Sequence, residues 1–130
     1  MPLLWGLFAS FMMINLGFLL RAMMSVTAIS DYLPIHAFAV GGIGIITMSM
    51  MARVTLGHTG RNVHQAPPIT AFLLGAMVVT TTLRIFFPLM DPGNYQLWIT
   101  VSGIMWIISF SLFSIIFIPM LLRQRVDAKS

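Results

Sequence analysis

Three histidines and two arginines are the residues of this chain with chemistry to offer. His36 opens the apolar run H-A-F-A-V-G-G-I-G-I-I-T-M-S-M-M-A, and His58 lies just past its far end in R-V-T-L-G-H-T-G-R. Neutral imidazole is a common ligand for haem iron and for copper. If the chain between His36 and His58 is helical, a rise of ~1.5 Å per residue separates them by roughly 33 Å, so one ion cannot bridge both. His58 and His64 share a glycine-containing linker and could meet. Two imidazoles without an acid leave that site incomplete, and a third ligand would have to come from elsewhere. The plainer reading, in which each histidine is a polar residue at a helix end, stays open beside the ligand reading.

Arg21 and Arg84 offer a second kind of chemistry, because both fall inside apolar runs. Ionisable groups at membrane depth are costly and mark functional sites by default. Helical spacing places Ser10, Ile14, Gly17, Arg21 and Ser25 on one face, and Thr70, Met77, Thr81, Arg84 and Pro88 on another. With His36 at the same end of the bundle, the two guanidiniums could form an anion site, for example for haem propionates. Alternatively they reach out to headgroups or pair with Asp31 and Asp91. Arg21, the deeper of the two, is expected to have a specific partner. The 12 methionines invite a copper(I) reading, since thioether is a soft ligand. Met12, Met13, Met23, Met24, Met48, Met50 and Met51 are read instead as flexible packing at helix interfaces.

The elements that hold these residues follow from composition. The chain has 130 residues, 58% hydrophobic and 8% charged, with no cysteine and a formal net charge of +4. A soluble domain carries about 25% charged residues, so this chain cannot cover itself with a water-compatible surface. It reads as an all-α integral membrane bundle with four transmembrane helices in a single domain. The spans are expected at 3–29, 34–52, 68–90 and 97–122, each near the ~20 residues needed to cross a bilayer. Pro34 and Pro68 suit a first helical turn. Ala37, Gly41, Gly44 and Met48 make a stripe of mostly small side chains on the second span, which allows close helix approach.

Basic residues orient the bundle. Arg53 and Arg61 flank the second linker, and Arg123, Arg125 and Lys129 lie in the tail, whereas the first and third linkers carry Asp31 and Asp91. Four spans put the second linker and the tail on one side, and the positive-inside rule places that side, with both termini, in the cytoplasm. The basic ends point to a lipid partner rather than nucleic acid. No intramembrane carboxylate is present, which disfavours a small proton-coupled transporter. No Ser-His-Asp set, phosphate-binding loop or carboxylate pair is apparent, and the chain is not read as an enzyme.

The run H-A-F-A-V-G-G-I-G-I-I-T-M-S-M-M-A-R-V-T-L-G-H-T-G-R resembles the signature of the NnrS family, close to H-A-x-T-V-G-A-I-G-x-M-x-L-A-M-M-T-R-x-S-L-G-H-T-G-R. The ending I-P-M-L-L-R-Q-R-V-D, the Pro-Leu-Leu-Trp opening and L-R-I-F-F-P-L around Arg84 are similar to it as well. The chain looks like the C-terminal third of such a protein. The resemblance implies a polytopic bacterial inner-membrane protein that contains haem and copper and is linked to nitric oxide response and denitrification. It carries over to His36, Arg53, His58 and Arg61, with Gly41, Gly44, Gly57 and Gly60 as supporting backbone. Where the family has a histidine in the first of these helices, this chain has Phe8. The resemblance therefore implies a metal site shared with other helices or chains, either a second copy or the remaining helices of a split protein. The alternative is a non-catalytic assembly subunit, or a truncated paralogue without metal.

Overall fold

The computed structural model describes residues 1–123, 125 and 126. Asp127 and Lys129, used above for the tail's charge and motif, lie outside the described residues.

Four helices form the bundle: α1 (Pro2–Met23), α2 (Tyr32–His58), α3 (Pro68–Met90) and α4 (Tyr95–Leu122). Short 3₁₀ turns at Val63–Gln65 and Pro92–Asn94 lead into α3 and α4. All four helices are long and apolar enough to cross a membrane. The protein is an all-α integral membrane bundle.

The helices alternate in direction, so α1's start, the α2–α3 linker and the end of α4 share one end. Two contacts tie that end together. Met1, Leu3 and Leu4 line a cleft with Arg53, Val63 and His64, and the Val126 N–H donates to the Thr59 carbonyl at 3.1 Å. The opposite end carries the α1–α2 and α3–α4 connections. There Ala28, Ser30, Leu33, Pro88, Leu89, Pro92 and Tyr95 surround a cavity of about 360 Å³.

Two helix boundaries differ from the expected spans. The first helix stops at Met23, not near Ile29. The Ser25 hydroxyl donates to the Ala22 carbonyl at 2.7 Å and the Thr27 hydroxyl to the Met23 carbonyl at 2.7 Å. Side chains of this kind offer the backbone an alternative to the helical ladder. The second helix continues past Ala52 to His58. Arg53 and His58 therefore stand on a helix, and only Thr59 to Pro67 is linker.

Within α2, residues Ala37–Ile43 form a π-helix. Its wider turn (i→i+5 bonding) lets adjacent Gly41 and Gly42 both be buried. A Cβ on Gly41 would stand 2.7 Å from Met13 Cβ and 2.7 Å from Thr81 Cγ2. A Cβ on Gly42 would stand 2.8 Å from Ile14 Cγ1. These glycines are therefore where α1 and α3 press on α2. Hydroxyls lock the same seam: Ser10 donates to the Gly42 carbonyl at 2.8 Å and Ser49 to the Leu3 carbonyl at 2.8 Å.

The main apolar core runs from the tail-bearing end through the middle and is built from residues such as Leu3, Ile45, Met48, Leu56, Leu74, Met77, Phe113 and Phe117. A smaller cluster of Leu20, Leu33, Ala37 and Ile85 sits towards the other end. The four stripe residues Ala37, Gly41, Gly44 and Met48 are all buried. On α1, Leu20 takes the inward position that helical spacing alone would offer to Arg21.

Candidate functional site

Arg84 is half-buried and held by α3 and α4 together. It lies six residues before the end of α3, or about 9 Å inside it. Its Nη1 donates to the Ile99 carbonyl and to Ser102 Oγ, both at 3.3 Å. Pro88 has no N–H to return to the Arg84 carbonyl, so the α3 ladder is broken one turn above the guanidinium. Ser102 is itself anchored, donating to the Trp98 carbonyl at 2.8 Å. Both hydrogen bonds use one nitrogen of the guanidinium, and Nε is buried without a partner.

His36 approaches the same place from α2, at the junction between its first helical turn and the π-helix. Its Nδ1 is sealed from solvent and has no hydrogen-bond partner. Arg84 is near enough to act on it electrostatically. Two polar nitrogens, one on an imidazole and one on a guanidinium, thus remain buried and unpaired towards the same end of the bundle. Buried polar atoms are paired in the great majority of cases. The cavity lies one helical turn farther out, since Leu33 precedes His36 by three residues and Pro88 follows Arg84 by four. Its volume is at the small end of ligand sites.

The other expected members stand apart from this pair. Arg21 falls in the last turn of α1 and is exposed. There its charge complements the helix dipole, and its guanidinium contacts the Met24 sulfur at 3.7 Å. Asp91 does not pair with Arg84; its Oδ2 accepts from Asn94 at 2.9 Å and from the Trp98 indole at 3.3 Å. Asp31 is exposed just ahead of α2.

At the tail-bearing end, Arg53, Gly57 and His58 line an open groove with Met50, Val54 and Val63. Arg53 also borders the cleft that holds His64. His58 and His64 are exposed and border different clefts, each of which Arg53 also lines. Gly60 and Arg61 close α2: Gly60 has φ 70°, and the Arg61 N–H donates to the Leu56 carbonyl at 2.9 Å. The Arg61 side chain turns inward, with Nη1 buried and without a partner. Among the described residues no group of three or more His, Cys, Asp or Glu side chains comes together.

Phe8 is exposed on α1. The Ser10–Gly42 bond fixes its height, level with the middle of α2 and roughly 12 Å from His36 along the bundle axis at ~1.5 Å per residue. A histidine at that position would therefore not meet His36 within one chain. Sequence reasoning missed Ser102 and the Ile99 carbonyl as the partners of Arg84. The available signal was a serine in the most apolar helix, separated from Ser109 by two helical turns.

The chain matches a family model described as NnrS protein over residues 1–125. No curated protein and no solved structure matches. The family match covers nearly the whole chain, including the histidine–arginine pair and the capped turn, and the chain belongs to the NnrS family.

Proposed function

We propose that the protein acts in nitric oxide response as part of a haem- or copper-binding membrane assembly, with His36 and Arg84 as this chain's contribution. The carrying observation is that His36 Nδ1 and Arg84 Nε, towards the same end of the bundle, are both shielded from solvent and without a hydrogen-bond partner. The donor set fits one position of a metal-centred group and its counter-charge. His36 would supply a ligand nitrogen, and Arg84 would hold an anionic substituent such as a propionate. A bound haem iron or copper ion supplies an open coordination position for a small diatomic ligand. What this chain's residues do is narrower: the α3–α4 clamp on Arg84 fixes a positive charge, and the α2 junction fixes an imidazole. The remaining ligands would come from other helices or chains, since the described residues gather no larger donor cluster. Family membership supports the same reading. By the positive-inside rule, the pair would sit towards the outer face of a bacterial inner membrane.

The protein purified in detergent, with haem supplied during expression, should show a Soret band or bound copper. The signal should fall on His36→Ala and on Arg84→Gln. An unpigmented, copper-free protein under those conditions would overturn the proposal and favour a metal-free assembly subunit, a role that the close glycine contacts of α2 also suit.

A further inference from the structure

The outward face of α1 carries a residue that lipid cannot satisfy. Asn15 is exposed and lies eight residues from the end of α1, about 12 Å from it. That is well inside a hydrocarbon layer ~30 Å thick. Its Nδ2 donates to the Phe11 carbonyl at 2.8 Å. Its Oδ1 accepts no hydrogen bond among the described residues, and its second amide hydrogen is likewise unused. Unpaired polar groups at this depth carry a penalty that water at the surface would remove.

The neighbours of Asn15 share a pattern. Leu4, Phe8, Phe11, Asn15, Phe18 and Ala22 are all exposed, and their spacings are 4, 3, 4, 3 and 4. This is a heptad seam along about five turns of helix, with Phe8, Asn15 and Ala22 at one set of inner positions and Leu4, Phe11 and Phe18 at the other. Leu4, Phe8, Phe11 and Phe18 are 60%, 64%, 57% and 65% exposed, so the seam faces outward, with Phe18 also holding an edge-on contact to Phe38 of α2 at a centroid distance of 5.0 Å. Sustained heptads pack against a parallel helix with the same repeat, and one asparagine among the inner positions sets its register.

We infer that this seam binds a second copy of the chain, α1 against α1 in parallel, around a two-fold axis normal to the membrane. The axis brings each inner residue to its own counterpart. A carboxamide is donor and acceptor at once, so Asn15 meets Asn15 and each Oδ1 takes the partner's free amide hydrogen. A wholly apolar partner helix, or lipid, would leave both groups unpaired. Both copies enter the membrane with the same orientation, so the parallel arrangement needs no inversion of topology. On α4, Thr100 is exposed but returns its hydroxyl to the Gln96 carbonyl at 2.8 Å, and Ser111 exposes a single hydroxyl, not a carboxamide with separate donor and acceptor atoms.

The absence of cysteine makes the test direct. Phe11→Cys places a thiol in the seam and leaves Asn15 in place, while Ile107→Cys places one on the exposed face of α4. Oxidation in native membranes should give a covalent dimer from Phe11→Cys and little from Ile107→Cys. Adding Asn15→Leu to Phe11→Cys should weaken association by about three- to thirty-fold, as loss of an interhelical hydrogen bond in lipid does. Asn15→Gln should retain part of it. These side chains face away from the core, so folding, checked by melting in detergent, should be unchanged. Equal cross-linking at positions 11 and 107, no effect of Asn15→Leu, or a cross-link from position 11 only to a different protein would each overturn the inference.

Discussion

The backbone N–H of Arg61 donates to the Leu56 carbonyl at 2.9 Å, and Gly60 donates to the Gly57 carbonyl at 3.3 Å. With Gly60 at φ 70°, this pair of bonds is the Schellman closure of α2. The signature L-G-H-T-G-R is thus a helix end, in which its two glycines do different work. Gly60→Ala must force a left-handed conformation on a Cβ-bearing residue, which costs about 1–2 kcal/mol. Gly57 lies in helical backbone, where an added Cβ would meet only Val63 Cγ2 at 3.9 Å. Gly57→Ala should raise stability, by up to ~1 kcal/mol on helix propensity. Melting of the two variants in detergent should move in opposite directions, and a common direction would refute this account of the motif.

The same turn explains what could be seen in advance. Charge and hydropathy made four helices legible, and the small stripe on α2 followed from 3.6-residue spacing. The end of α2 was not legible, because the apolar run stops at Ala52 before Arg53, whereas the helix continues to His58 and closes at the turn marked by Gly60 and the bond from Arg61 to Leu56. Arg21 was read as deep because the apolar run continues to Ile29. The hydroxyls of Ser25 and Thr27, weak signals in sequence, end the helix six residues earlier. That His36 and Arg84 lie towards the same end of the bundle was readable from their places in the spans. The anchoring of Arg84 was not, because it depends on α4 supplying the Ile99 carbonyl and Ser102.

Close approach at the π-helix gives a second contrast between glycines. Gly41 has Met13 Cβ and Thr81 Cγ2 each 2.7 Å from the place a methyl would occupy, whereas nothing lies within 4 Å of that place at Gly75. Met13 Cβ is tied to its helix and cannot retreat as a side-chain end could. Gly41→Ala should therefore destabilise by about 1–3 kcal/mol, as overpacking does. Gly75→Ala should be neutral or stabilising by up to ~1 kcal/mol. Thermal unfolding of both variants in one detergent checks this, and a Gly41→Ala protein as stable as the parent would mean that α1 and α2 can separate freely.

Arg84 should separate binding from stability. Its hydrogen bonds are long, at 3.3 Å, and its buried Nε is unpaired. Replacing it with an apolar side chain of similar reach removes a desolvated charge, and such changes are often neutral or stabilising. Arg84→Met should melt within about 1 kcal/mol of the parent, or above it, while losing most of any bound haem or copper. A large drop in stability with binding retained would instead assign the arginine a purely structural role.

Orientation rests on where the basic residues fall. Arg53 and Arg61 flank one linker end, and Arg123 and Arg125 lie at the same end of the bundle, while Asp31 and Asp91 mark the other. Each basic group near an anionic leaflet contributes ~1 kcal/mol, so the four arginines at one end outweigh the exposed Arg21 at the other. Because the chain has no cysteine, one thiol placed at an exposed loop position reports its side without ambiguity. Gly93→Cys in intact cells should react with a membrane-impermeant maleimide, and Gln65→Cys should react only after lysis. The reverse pattern would invert the bundle and place the His36–Arg84 pair towards the cytoplasm. Labelling of both positions from the same side would remove the four-span arrangement itself, because α3 alone separates them.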